Sequence, residues 1–376
     1  MDFERILVRA TNWLGDAVMS LPALQALHAR LPSARVSILA RPWVADLYGR
    51  EPFCHEVIPY EAPRGWAGLG VKWRLARVLA ARRFDAAILL PNAWEAAALV
   101  WTARIPVRIG YARDGRGLLL SHSVEVPDEF RNSGRALSVR AGKDGNVIVR
   151  GTGPMRGNGP RHATRHQRFY YLELLKRAGV IESYREDAES QLSGSAEAAV
   201  EGRRLFAGEG FPDRVIGMSP GAAFGSAKRW LPENFLELGI RLARQWSAAV
   251  ALFGSSGEAE LCERIARRIG KSGVTAANFA GKTSLREFID RAASCFLYVT
   301  NDSGAMHVAS ALGVPTVAVF GSTDAVATGP AGSRFVVVQK PVECSPCQLR
   351  VCPIDHRCMT RISVEEVARA AEELMK

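Results

Sequence analysis

Apolar residues along this chain fall in short blocks separated by stretches of helical period. "RILVRA" reads as a strand, "TNWLGD" as a loop, "AVMSLPALQALHARL" as a helix and "ARVSILA" as a second strand, which makes a β-α-β unit. "FDAAILLPN" and "VRIGY" carry the uninterrupted apolar runs of buried strands, and "KWRLARVLAARR" ahead of the first is a basic amphipathic helix. A helix at about Tyr170–Ala178 and a polar stretch near Ile181–Ala196 precede a second series. There "RVIGMSP", "AVALFG", "CFLYVTN" and "TVAVFG" read as strands, alternating with helices such as "PENFLELGIRLARQ", "EAELCERIARRI" and "GAMHVASAL". Alternation in both halves predicts an α/β protein of two parallel, doubly wound domains, whose ligands bind beyond the carboxyl ends of the strands.

A length of 376 residues fits two such domains, and 48% hydrophobic with 23% charged residues is an ordinary globular balance. No apolar run reaches membrane-spanning length and the N-terminus lacks the regions of a signal peptide, so a cytoplasmic location is expected. The net charge of +11 is uneven: residues 1–180 carry 27 Lys and Arg against 15 acids, and 181–376 carry 22 against 23. Much of the excess lies in 131–168, where nine basic residues and seven glycines accompany one acid, Asp144. That segment reads as a solvated, mobile insertion loop, or as a landing surface for an anionic membrane or phosphorylated ligand. "RGWAGLGVKWRLARVLAARR", with Trp66, Trp73 and six cations, suits either an anionic interface or an ordinary helix beside the sheet.

Candidate chemistry sits at the strand ends. "MSPGAAFGSAKRW", "FGSSGEAE" and "VTNDSGAMH" each follow a strand of the second half, so backbone N–H groups and helix starts can converge on a diphosphate. Each turn alone is equally a turn former or a helix cap. A Walker loop and a G-x-G-x-x-G turn are both missing from the sequence, which argues against a P-loop NTPase and a dinucleotide oxidoreductase. Cys344, Cys347, Cys352 and Cys358 form C-x2-C-x4-C-x5-C, with His356 among them. This spacing suggests a structural zinc or other metal site, with reduced, unligated cysteines as the alternative.

"NWLGDAVMSLPAL", "PGAAFGSAKRW" and "TNDSGAMHVASALGVPTVAVFGSTD" resemble, in order and spacing, the signature regions of the ADP-heptose:lipopolysaccharide heptosyltransferases, most closely their heptosyltransferase II branch. The resemblance runs from Ile6 to about Pro330 and departs from the pattern in 131–168 and in the cysteine tail. It implies a GT-B architecture of two Rossmann-like domains with an inter-domain cleft. Residues 1–180 would bind the acceptor and 181–362 the nucleotide sugar, while a last helix in 363–376, opened by the capping box Ser363-x-x-Glu366, would pack back on the first domain.

The resemblance also implies roles. Asp16 would be the general base that deprotonates the acceptor hydroxyl in an inverting transfer; the alternative reading of the same residue is a helix cap. Asn12, Trp13 and Gly15 would meet the acceptor. Lys228, with the Asp302-Ser303-Gly304 helix start, would stabilise departing ADP. Its neighbour Arg229 could take the place of Lys228. Ser219, Gly221, Glu258, Gly281, Lys282 and Thr283 would line the donor, Glu258 toward a ribose hydroxyl. His307 is either a donor contact or a satisfied core histidine. The sequence holds no Asp-x-Asp motif, so no cofactor is expected for catalysis. The expected partners are ADP-heptose and a phosphorylated lipopolysaccharide inner-core acceptor at the membrane surface, with the enzyme peripheral to the cytoplasmic face of the inner membrane and no nucleic acid involved. A transferase with another donor or acceptor, or a non-catalytic ADP-sugar-binding module, would share many of these features.

Overall fold

A computed structural model describes residues 2–63, 68–131, 138–141, 147–150 and 165–376 of the chain. It forms two compact units, one of Met1–Arg131 with Gln167–Ser193 and one of Gly194–Lys376 with Asn132–His166. The division after Ser193 falls later than the boundary expected at residue 180, because Glu51 of the first unit accepts from the Ser193 backbone N–H (2.9 Å) and hydroxyl (3.0 Å).

The first unit is built on a parallel sheet of β1 (Arg5–Arg9), β2 (Arg35–Ala40), β3 (Cys54–Pro59), β4 (Ala86–Leu89), β5 (Val107–Tyr111) and β6 (His122–Val124), in the order β3-β2-β1-β4-β5-β6. Ile6 pairs with Val36 on one side and Ala86 on the other, and this central strand is buried from Ile6 onward. The helix expected over "AVMSLPALQALHARL" is two helices, Leu14–Met19 and Leu21–Arg30, joined at Ser20. Pro22 is the reason: it has no N–H to donate, and its ring crowds the carbonyl four residues back. Within the basic segment, β7 (Ser138–Ala141) and β8 (Val147–Arg150) pair antiparallel. The rest of the expected mobile loop or landing surface, up to residue 164, lies outside the described residues, as does Trp66.

The second unit repeats the same topology. β9 (Val215–Ser219), β10 (Ala249–Leu252), β11 (Ala276–Asn278), β12 (Leu297–Asn301), β13 (Thr316–Phe320) and β14 (Phe335–Gln339) lie parallel in the order β11-β10-β9-β12-β13-β14. Trp230, Phe235, Leu238 and Leu242 fill one face of this sheet with Ile265 and Ile269 from the following helix, Ala259–Lys271. The last helix, Val364–Leu374, opens with the expected capping box: Glu366 accepts from the Ser363 N–H at 3.0 Å, and the Ser363 hydroxyl accepts from the Glu366 N–H at 3.3 Å. Its expected partner needs correction. Val364, Val367, Ala368 and Ala371 join the apolar core of the second unit, against β13, β14 and the helix Pro232–Trp246, so the helix belongs to that unit and not to the first. The apolar stripe it presents is what that face of the sheet leaves open. Among the described residues no helix is long and apolar enough to cross a membrane.

One glycine sets a helix-to-helix distance. Gly202, on the helix Ser195–Gly208, faces the helix Leu285–Ala293 so closely that a Cβ would stand 2.0 Å from the Asp290 carbonyl oxygen. Gly202→Ala should therefore force the two helices apart and cost roughly 1–3 kcal/mol, despite the better helix propensity of alanine. A urea unfolding curve with a lowered midpoint and unchanged slope is the expected result.

Candidate active site

The order β11-β10-β9-β12-β13-β14 reverses direction between β9 and β12, so the loops after these neighbouring strands diverge and leave a crevice at their carboxyl ends. Asn301, the last residue of β12 and fully buried, ties the two loops together. Its amide donates to the carbonyls of Pro220 (2.8 Å) and Gly221 (3.2 Å), and its oxygen accepts from the Trp230 backbone N–H (2.9 Å). Two residues before Trp230, the Lys228 ammonium lies 2.6 Å from Oδ2 of Asp302, with Lys228 at 12% and Asp302 at 4% side-chain exposure. The Thr323 hydroxyl, from the loop that follows β13, donates to the same oxygen at 2.5 Å. Arg229 donates instead to the Ala222 carbonyl (3.2 Å), so of the two adjacent cations it is Lys228 that reaches the Asp302 carboxylate.

The other donor-side candidates fall around this pair to different degrees. Ser303 caps the helix Gly304–Ala311 by accepting from the Met306 N–H at 3.4 Å, and Ser219 pairs with the Tyr298 hydroxyl at 2.8 Å. Glu258 accepts the Ser255 N–H (2.8 Å) and hydroxyl (2.9 Å) on Oε2. Its Oε1 lies against Gly221, where a Cβ would approach it to 1.9 Å, so a larger residue at 221 would have to displace the Glu258 carboxylate. Gly281 has φ +70 and would drive a Cβ to 2.7 Å from the Ser256 Cα, so this position calls for glycine. Lys282 is exposed and sits 3.9 Å from Glu263, while Thr283 is half-buried. His307 is a buried ring: burial drives its pKa down to about 4, opposed by the Asp302 charge and assisted by His166 and Lys228, and Nδ1 has no hydrogen-bond partner. It is thus neutral at ordinary pH.

The cysteine tail folds beside the lysine loop. The Arg350 carbonyl accepts from the Ala227 N–H at 3.0 Å and occupies the space in which a side chain on Gly225 would stand. His356 Nε2 lies 3.0 Å from the Ala227 carbonyl, and the Ser345 hydroxyl donates to the Gly321 carbonyl at 2.6 Å. The expected zinc centre has no ligand set in this arrangement. Cys344, Cys347, Cys352 and Cys358 are free thiols, and among the described residues no group of three or more His, Cys, Asp or Glu is placed to hold a metal ion. Cys358 is buried with Met359 in the core of the unit, where burial first and the neighbouring thiols of Cys344, Cys347 and Cys352 second push its pKa up to about 12.

In the first unit the corresponding loop follows β1. Asn12 accepts from the buried Arg9 guanidinium (2.7 Å) on its side chain and from the Trp43 indole (2.9 Å) on its carbonyl. Arg9 also donates to the Tyr60 hydroxyl at 2.5 Å, which leaves the Trp13 ring exposed on a braced turn. The helix Leu14–Met19 is preceded by Trp13 and has no side-chain cap. Asp16 is therefore not the N-cap of that helix: it lies three residues beyond Trp13, in the first turn, half-buried. Its charge adds to burial in raising the pKa of Tyr171, and to a lesser extent that of Tyr48, which is pushed up to about 12 mainly by burial. Asn301, Thr323, Arg9 and Tyr60 were not singled out from the sequence. Only Asn301 carried a signal, as a polar residue closing an apolar strand next to an acid.

The pattern that defines Glycosyltransferase family 9 (heptosyltransferase) matches residues 72–133 and 164–357. The chain is 30% identical over 336 residues to a lipooligosaccharide heptosyltransferase 2 of Haemophilus influenzae, covering 89% of this chain and 88% of the relative. It is also 30% identical over 340 residues to a lipopolysaccharide heptosyltransferase 2 of Escherichia coli, with the same coverage. The solved structure of E. coli ADP-heptose lipopolysaccharide heptosyltransferase II superimposes with a TM-score of 0.74 at 28% identity, covering 99% of this chain and 98% of that one.

Two outcomes test the site. Asn301→Ala leaves the Trp230 N–H and the Pro220 and Gly221 carbonyls unpaired in a buried place and should cost roughly 2–4 kcal/mol, read as a lowered unfolding midpoint by calorimetry. His307 binds no proton in the folded state until about pH 4, whereas the unfolded chain takes one up near pH 6.5. Stability should therefore be lost as pH falls through that window, by up to roughly 3 kcal/mol, and this part of the pH dependence should vanish in His307→Gln melting curves.

Proposed function

Because the chain belongs to glycosyltransferase family 9 (heptosyltransferase), we propose that it moves L-glycero-D-manno-heptose from ADP-heptose to the heptosylated inner core of lipopolysaccharide, with inversion at the anomeric carbon. The observation that carries the donor side is the buried Lys228–Asp302 pair at the reversal point of a doubly wound sheet. In this reading the acceptor hydroxyl attacks the anomeric carbon as Asp16 takes its proton. The bond from that carbon to the diphosphate oxygen breaks, and ADP leaves with the electron pair. Lys228 and the N–H groups at the Ser303-Gly304 helix start offset the charge that develops on the diphosphate.

Asp302 acts here as the residue that positions Lys228, since a carboxylate facing a diphosphate would repel it. Ser219, Gly221, Glu258 and Gly281 shape the donor loop; Lys282 and Thr283 border it. His307, neutral and buried, supports the helix that starts at Gly304. Asn12, Trp13 and Gly15 present the acceptor to Asp16, with the Trp13 ring available for a sugar face.

The test is Asp16→Asn, which keeps the size and polarity of the side chain and removes its basicity. Turnover at saturating ADP-heptose should fall by about 10²–10⁴-fold while ADP affinity and the melting temperature change little. Near-normal turnover in this variant would move the base to another residue. Product formation by the unaltered chain, with purified donor and acceptor, decides the substrates themselves.

A further inference from the structure

Away from the strand ends, the first unit carries a groove of about 570 Å3 between the helix Leu69–Ala81 and the helix Trp94–Thr102. Leu69, Lys72, Trp73 and Ala76 recur at three- and four-residue spacing and form one wall; Trp94, Glu95, Ala98, Leu99 and Thr102 form the other. This lining is almost wholly apolar, and it is open: Trp73 is 57% exposed, and Trp94 and Trp101 are each 55% exposed. Leu118, on the turn Arg116–Leu119 that packs against the second of these helices, is 95% exposed.

The surroundings are cationic. The helix Leu69–Ala81 carries Lys72, Arg74 and Arg77 and no acid, with exposed Arg83 just beyond it. The Arg77 guanidinium stacks 4.9 Å above the Trp73 ring, and Lys72 reaches 3.1 Å to Glu95 on the opposite helix. Tryptophans with exposed rings beside arginines suit a surface that is apolar inside and anionic at its rim.

We propose that this groove and its arginine rim dock the protein on an anionic phospholipid bilayer, with Leu69, Trp73 and Trp94 entering the boundary between headgroups and acyl chains and Arg74 and Arg77 meeting lipid phosphates. Charge complementarity selects this occupant. A second copy of the chain, docked face to face through the same groove, would set two arginine rims against each other. The inference rests on the surface alone and goes beyond the transfer reaction.

The test uses the full chain with neither sugar nucleotide nor acceptor present, so its failure and a failure of the assigned reaction are separate results. Phosphatidylcholine vesicles with and without phosphatidylglycerol, and a set with brominated acyl chains, are sedimented with the protein. The expected result is binding to the phosphatidylglycerol vesicles that weakens as salt rises, with tryptophan emission quenched by the brominated chains. Trp73→Ser/Trp94→Ser should lower partitioning by about tenfold or more and remove most of the quenching. Arg74→Glu/Arg77→Glu should remove the preference for phosphatidylglycerol. Because these side chains are exposed, both variants should keep the melting temperature of the unaltered protein. Absence of vesicle binding, equal binding by the tryptophan variant, or a concentration-dependent dimer that disappears in that variant would each overturn the proposal.

Discussion

The side-chain amide of Asn301 holds together two loops that the sheet topology drives apart. Strand β9 sends its chain toward β10 and strand β12 sends its chain toward β13, on opposite sides of the sheet. The Lys228–Trp230 segment has other anchors, at Asp302, Ala222 and Ile362, but the bridge from Asn301 alone ties it to the Pro220–Gly221 carbonyls among the described contacts. Asn301 fixes both through three hydrogen bonds in a fully buried setting, where an unmade bond is costly and the geometry is correspondingly sharp. The position of Lys228, and through it the pairing with Asp302, follows from that clamp.

The first unit solves the same problem with different chemistry. Arg9 is buried at the end of β1, its pKa lowered by burial, and spreads its donors over the Ala10 carbonyl, Asn12 and Tyr60. Its guanidinium lies 4.8 Å from the Tyr60 ring centre, and Arg41 lies 4.7 Å from the same ring. A charged brace under an aromatic platform gives the loop before Asp16 a fixed path while leaving Trp13 outside. Each unit thus places a rigid polar device at the end of a central strand, β1 in the first and β12 in the second.

The sequence pattern made the interior of both sheets legible and left their borders unread. β1, β2, β4 and β5, with β9, β10, β12 and β13, were all anticipated; β3, β6, β11 and β14, the edges of the two sheets, were not. Central strands are covered on both faces and show as apolar runs, whereas an edge strand such as "CHEVIP" in β3 is half-exposed and mixed in character. Of the expected site residues, Lys228 and Asp302 meet in one ion pair, and Gly281 occupies a turn whose φ of +70 calls for glycine. What stayed hidden depends on contacts between residues far apart in the chain. Thr323 meets Asp302, and Arg350 fills the space beside Gly225, only once the sheet has assembled. The split at Ser20 was readable from Pro22 alone, and the packing of the last helix was not, since its apolar stripe does not say which sheet it covers.

A lysine that rests against its own carboxylate is a poor trap for stray anions. With Asp302 2.6 Å away and Thr323 on the same oxygen, the ammonium of Lys228 offers little net field to a small ion drifting past. An anion gains that ammonium only by sharing it with Asp302, and the loss must be offset by further contacts along the surrounding turns. Inorganic phosphate and other compact anions have too few atoms to make them. On the proposed reading of Lys228 as a diphosphate contact, the resting ion pair would act as a filter by size, indifferent to small ions and open to ligands long enough to span several strand ends at once.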